Sequence, residues 1–137
     1  MNRLLLILVV MVGVPLCSTP ATAQVSATTK KAASVKITQG PEIERADPYL
    51  TIVRWTTNNP GGSPEHYGVV HYGTSPKDLS QTAKSPIRLS AGHPDTVFRV
   101  RIEGLQPGTT YYYKVDSMEA SGKGDGVTSK VKTFKTQ

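Results

Sequence analysis

The sequence predicts an all-β chain folded as an antiparallel two-sheet sandwich of about seven strands. Three observations carry this. From Ser34 onward, β-branched and aromatic residues come in short runs separated by Gly, Pro, Asn and Asp. In the clearest runs apolar and polar side chains alternate with period two. No stretch keeps an apolar stripe at helical spacing long enough to form a helix, and there is no internal repeat. Seven or so short strands in roughly 100 residues is the pattern of two packed sheets.

The elements follow in order. Residues 1–23 carry Arg3, an apolar run from Leu4 to Val14, and Ala21-Thr22-Ala23 before Gln24, which is the layout of a cleaved secretory leader. The run is about 11 residues, short of the ~20 that span a bilayer. The sequence therefore predicts a secreted, periplasmic or extracellular chain with no stable membrane span after cleavage. Cleavage would remove Cys17, the single cysteine, so the core must be held without a disulfide. Residues 24–33, QVSATTKKAA, are small and polar and read as a flexible linker. The domain proper is expected over 34–137.

Strands are predicted at 33–41, ended by Gly40-Pro41; 49–57; 66–74; weakly within 79–90; 96–104; 110–117; and 128–136, with SGKGDG (121–126) as a loop. Pro86 confines the weak strand to a sheet edge. Alternation assigns the faces. Thr51, Val53 and Trp55 share one side of the second strand, and Phe98, Val100 and Ile102 one side of the fifth. The opposite face of the fifth carries Arg99 and Arg101 and must be wet, so the Phe-Val-Ile face is core. By the same argument Tyr111, Tyr113 and Val115 point inward, while Tyr112 and Lys114 point out. Trp55, the one tryptophan, is expected at the centre of the core.

Three segments resemble a known family. GLQPGTTYYYKV (104–115) is similar to the sheet-to-sheet corner of fibronectin type III-like domains, with its Leu-x-Pro-x-Thr-x-Tyr run. The resemblance implies that Tyr111 is the corner tyrosine, whose hydroxyl bonds backbone a few residues upstream, and that Trp55 is the family's core tryptophan. VVHYGTSP (69–76) and SKVKTFKT (129–136) resemble the Val-x-Tyr-Gly-Thr-Ser-Pro and closing Ser-x-Val-x-x-Phe-x-Thr segments of the N-terminal sandwich domain of purple acid phosphatases. That family's chemistry resides in a separate downstream metal-binding domain, whose Gly-Asp-x-x-Tyr, Gly-Asn-His-Asp/Glu and Gly-His-x-His motifs are not found in this sequence.

The expected function is a non-catalytic exported binding or spacer module of fibronectin type III type. The alternative is an accessory N-terminal domain, a fragment or shortened relative, of a purple-acid-phosphatase-like metal-dependent phosphoesterase. No catalytic residue, metal ligand or cofactor is assigned. His66 and His71 are five apart in one strand and so face opposite ways; each histidine, with His93, reads as a surface or rim residue. The formal net charge of +6 is scattered, without the concentrated stripe of a nucleic-acid binder. Candidate binding residues are Lys123 and Asp125, in a Lys-Gly-Asp tripeptide resembling the integrin-binding Arg-Gly-Asp of some fibronectin type III domains; outward-facing Tyr112; and Arg99 and Arg101, which with Arg54 form a candidate basic patch. The expected partner is a protein or glycan outside the cytoplasm, or a downstream phosphoesterase domain.

Overall fold

A computed structural model of the chain describes residues 30–137; the leader at 1–23, Cys17 and residues 24–29 of the linker lie outside the described residues. Eight strands run in chain order: β1 (Ile37–Ala46), β2 (Thr51–Asn58), β3 (Glu65–Gly73), β4 (Gln81–Arg88), β5 (Asp95–Ile102), β6 (Thr110–Glu119), β7 (Gly124–Thr128) and β8 (Lys132–Lys135). One sheet has the order β1-β2-β5; the other has the order β4-β3-β6-β7, with β8 also pairing β6. All pairings are antiparallel. The chain changes sheet after β2, after β4 and after β5, as expected of a fibronectin type III-like sandwich.

The inward faces are those that alternation assigns. Val53 and Trp55 from β2 and Phe98, Val100 and Ile102 from β5 meet Val70 from β3 and Tyr111, Tyr113 and Val115 from β6, with Leu105 and Phe134 closing one end. Trp55 stacks on Phe98 with ring centroids 5.2 Å apart. Burying a ring of that size contributes roughly 4–6 kcal/mol of transfer free energy. Facing the pair on β3 is Gly68, where a Cβ would lie 2.9 Å from Trp55 Cη2, 2.9 Å from Val100 Cγ2 and 3.1 Å from Phe98 Cδ1. The indole is accommodated because its neighbour across the sandwich has no side chain. Burial, together with the Glu42 carboxylate, pushes the Tyr113 phenol up to about 12.

Two strand boundaries differ from expectation. The first strand does not end at Gly40-Pro41 but continues to Ala46, because register shifts between Gln39 and Glu42 carry an edge strand past a residue that cannot donate a ladder bond. The last predicted strand is two. β7 begins at Gly124, inside the supposed SGKGDG loop, and pairs the far part of β6, while β8 pairs Thr110–Tyr113. The weak 79–90 stretch is one edge strand, β4, with Pro86 in it.

Tyr111 behaves as a corner tyrosine. Its hydroxyl accepts the Gln106 N–H at 3.0 Å, while its ring stacks on Phe134 at 5.6 Å and meets the edge of Tyr72 at 6.3 Å. Tyr112 points to the opposite face and is half-buried. Two outcomes are expected in denaturant melts. Tyr111→Phe costs about 1 kcal/mol by leaving an N–H unmatched, whereas Tyr112→Phe costs little; the reverse order would mean a register one residue off. Gly68→Ala costs ~1–3 kcal/mol through overpacking against Trp55, a loss read as a lowered midpoint with unchanged slope.

Candidate functional site

The residues singled out from the sequence do not come together. Arg54 and Arg99 lie side by side across β2 and β5, but the edge strand β1 supplies two glutamates against them. Arg54 Nη1 donates to Glu42 Oε1 at 2.9 Å. Arg99 grips Glu44 with two nitrogens, Nε at 2.9 Å and Nη2 at 3.0 Å, which holds the Glu44 carboxyl below the usual carboxylate range. The expected basic patch is thus a mixed-charge ladder, since β1 pairs β2 with its acidic residues over the arginines. Arg101 stays exposed, its backbone N–H donating to Ser85 Oγ at 3.3 Å.

The Lys-Gly-Asp reading is corrected more sharply. Lys123 is exposed, but the Asp125 side chain is fully buried. Because β7 starts at Gly124, alternation turns Asp125 inward rather than out to a partner. There Ser117 Oγ, also buried, donates to Asp125 Oδ2 at 2.7 Å.

Beside it stands His66, the second correction. The histidine expected at the surface or rim is completely buried. It occupies the first inward position of β3, directly opposite Glu119 on β6. Ser117 and Glu119 continue the inward series of Tyr111, Tyr113 and Val115, so the inner face of the five-stranded sheet changes from aromatic to polar along one strand. The two ends are eight residues apart, roughly 27 Å at strand rise.

His66 Nε2 lies 3.2 Å from Asp125 Oδ1. Neither ring nitrogen, nor Oδ1, makes a hydrogen bond among the described residues. The cluster is covered by Lys31, which pairs with Glu119 and approaches Asp125 Oδ1 to 3.7 Å. Its ammonium holds the Glu119 carboxyl below the usual carboxylate range, and Glu119 in turn raises the ammonium. Ala32 N–H donates to the Pro60 carbonyl at 3.0 Å, laying this N-terminal segment along the sandwich end. Among the described residues, His66, Glu119 and Asp125 are where three metal-ligand side chains converge, one donor atom from each lying within 4.8 Å of the others. A sixth strand carried to Glu119, rather than ended at Ser117, and a seventh begun at Gly124 would have signalled the cluster in the sequence.

His71 points outward, as its offset from His66 requires. Its Nε2 lies 2.8 Å from Asp116 Oδ2, and Thr82 Oγ1 stands 3.4 Å from Nδ1. The order of groups is that of a hydrolase triad, but the hydroxyl contact is long and Thr82 lies exposed on the edge strand β4. The arrangement ties β4, β3 and β6 together on their outer face. His93 is exposed in the connection before β5.

The residues carrying the family resemblance meet at the aromatic end. Tyr72 and Phe134 pack on Tyr111. A Cβ at Gly73 would overlap the Asp78 carbonyl oxygen, so the glycine admits the turn that follows β3. Thr136 Oγ1 accepts the Thr109 N–H at 2.9 Å and donates to the Gln106 carbonyl at 2.5 Å.

Ser117→Ala is expected to cost about 1.5–3 kcal/mol, because it strips a buried carboxyl of its hydrogen bond. The measurement is urea unfolding of the two proteins; a change within ±0.5 kcal/mol would contradict the burial assigned to Asp125.

Residues 45–136 match the family described as Purple acid Phosphatase, N-terminal domain. No curated protein gives a significant match to the chain. The family match covers most of the chain, and the chain belongs to that family.

Proposed function

From that membership we propose that the chain is an accessory sandwich of a purple-acid-phosphatase-like phosphoesterase, a module that docks and spaces and leaves the hydrolysis to another domain. The single observation carrying this is the match over residues 45–136, which spans seven of the eight strands in full. The placement of its motifs supports the same reading. Tyr72, Gly73, Leu105, Thr109, Tyr111, Phe134 and Thr136 pack or pin the sandwich, which is work that an accessory fold asks of them.

The end of the fold near the C-terminus offers a docking surface. Gln137 N–H donates to the Ala46 carbonyl at 3.1 Å, and Leu105 N–H to the Pro48 carbonyl at 3.0 Å. A domain following Gln137 would emerge beside the Asp47–Leu50 turn, where Tyr49 is 86% exposed. An exposed aromatic at the point of exit suits a contact with a covalently attached neighbour. Action outside the cytoplasm is proposed on the leader pattern of residues 1–23 alone.

Two measurements test the proposal. The purified chain, assayed on an aryl phosphate with added Fe, Zn or Mn, is expected to show no turnover; activity that survives repurification and is abolished by a chelator would overturn the non-catalytic role. Reading the genomic DNA past the codon for Gln137 is expected to show a metallophosphatase frame. Its absence would leave a free-standing binding module as the reading to pursue.

A further inference from the structure

We propose that His66, Glu119 and Asp125 form a binding site for a divalent transition-metal ion, Zn2+ being the ion best suited, and that Lys31 competes with the ion for the same two carboxylates. The proposal goes beyond the accessory role and does not depend on it.

The first ground is an unsolved polar problem. A fully buried imidazole and a fully buried carboxyl stand 3.2 Å apart, yet both ring nitrogens and Asp125 Oδ1 make no hydrogen bond among the described residues. Burying such groups without partners is costly. A plain His–Asp hydrogen bond would settle part of that cost, but the two groups are not aligned to make one. A cation bound by His66 Nε2 and Asp125 Oδ1 would satisfy one unpartnered atom of each group, leaving Nδ1 as the second nitrogen of a singly coordinated imidazole. Two ligands on a tetrahedral Zn2+, each at about 2.0–2.2 Å from it, lie roughly 3.3–3.5 Å apart. The observed separation is close to that edge.

The second ground is the composition of the cluster. One imidazole and two carboxylates make a three-residue Zn2+ set, leaving a fourth position for water. Their two negative charges match the ion. The imidazole disfavours Ca2+ and Mg2+, which take oxygen ligands. Ser117 holds the other oxygen of Asp125 at 2.7 Å, the outer contact that orients a metal-binding carboxylate.

The third ground is that the place already draws a cation. The Lys31 ammonium reaches both carboxyl groups from a segment that lies across the sandwich end. Its side chain is 38% exposed and that of Glu119 16%, so an ion has a way in from this side. The lysine is a single flexible arm, and swinging it into water frees both carboxylates. The metal would then join β3, β6 and β7 at their polar end.

The test is Zn2+ titration of the full chain, untagged and carrying Cys17→Ser so that no thiol competes, followed by calorimetry and thermal melting. One Zn2+ per chain and a raised midpoint are expected, with Co2+ at the same site giving the visible absorption of a four-coordinate ion. Asp125→Asn and Glu119→Gln should each weaken binding at least tenfold. Glu119 lies at the rim, so its variant keeps the test open should Asp125→Asn unfold the chain. Lys31→Met should tighten binding roughly two- to fivefold, the equivalent of one surface ion pair lost as competitor. His71→Ala should leave it unchanged. The proposal is overturned by no saturable 1:1 binding, by binding that survives both carboxyl variants, by binding lost in His71→Ala, or by weaker binding in Lys31→Met.

Discussion

The sandwich depends on how the chain crosses from the three-stranded sheet to the five-stranded one between Ile102 and Thr110. Here two sheets must be held at a fixed separation by a connection with no strand pairing of its own. Tyr111 solves this by serving both sheets' demands at once. Its hydroxyl takes the Gln106 N–H inside the connection, and its ring lies in the core against Phe134. Thr136, just past the last strand, completes the joint by bonding Gln106 and Thr109. The aromatic core that follows, with Trp55 lodged over Gly68, fills the space that this corner sets.

Most of the core was legible because period two is a strong constraint where one face is wet. Arg99 and Arg101 on β5, and Lys114 on β6, fix the solvent side, and the opposite residues follow. Features that depend on pairing were not legible. The arginine patch is a property of three strands, and a single sequence does not say that Glu42 and Glu44 will lie beside Arg54 and Arg99. Gly40-Pro41 looked like a strand end because proline lacks a donor; an edge strand tolerates that, and edge position is a matter of topology.

The same reason hid His66 and Asp125. A histidine and an aspartate near turns are ordinary surface residues on composition. Their burial arises because β7 begins one residue before Asp125 and β3 one residue before His66, so alternation turns both inward. The result divides the inner face of one sheet by chemistry. At the Tyr111 end, aromatic packing and backbone bonds define the family. At the Glu119 end, polar groups sit under a lysine from the N-terminal segment. The tyrosine corner and the His66–Glu119–Asp125 cluster therefore lie at opposite ends of the five-stranded sheet's inner face.

The short β8 has a mechanical consequence. Its four residues pair Thr110–Tyr113, with Phe134 packed between the Tyr111 and Tyr113 rings, and the backbone beyond it is tethered at Thr136 and Gln137. A pull on the C-terminus does not meet a loose tail. It loads Gln137 on Ala46, then Thr136 on Thr109, and only then peels the β8 ladder from the corner. A force applied there is therefore delivered to the tyrosine corner through Thr136 and the β8 ladder rather than spent in straightening a free tail.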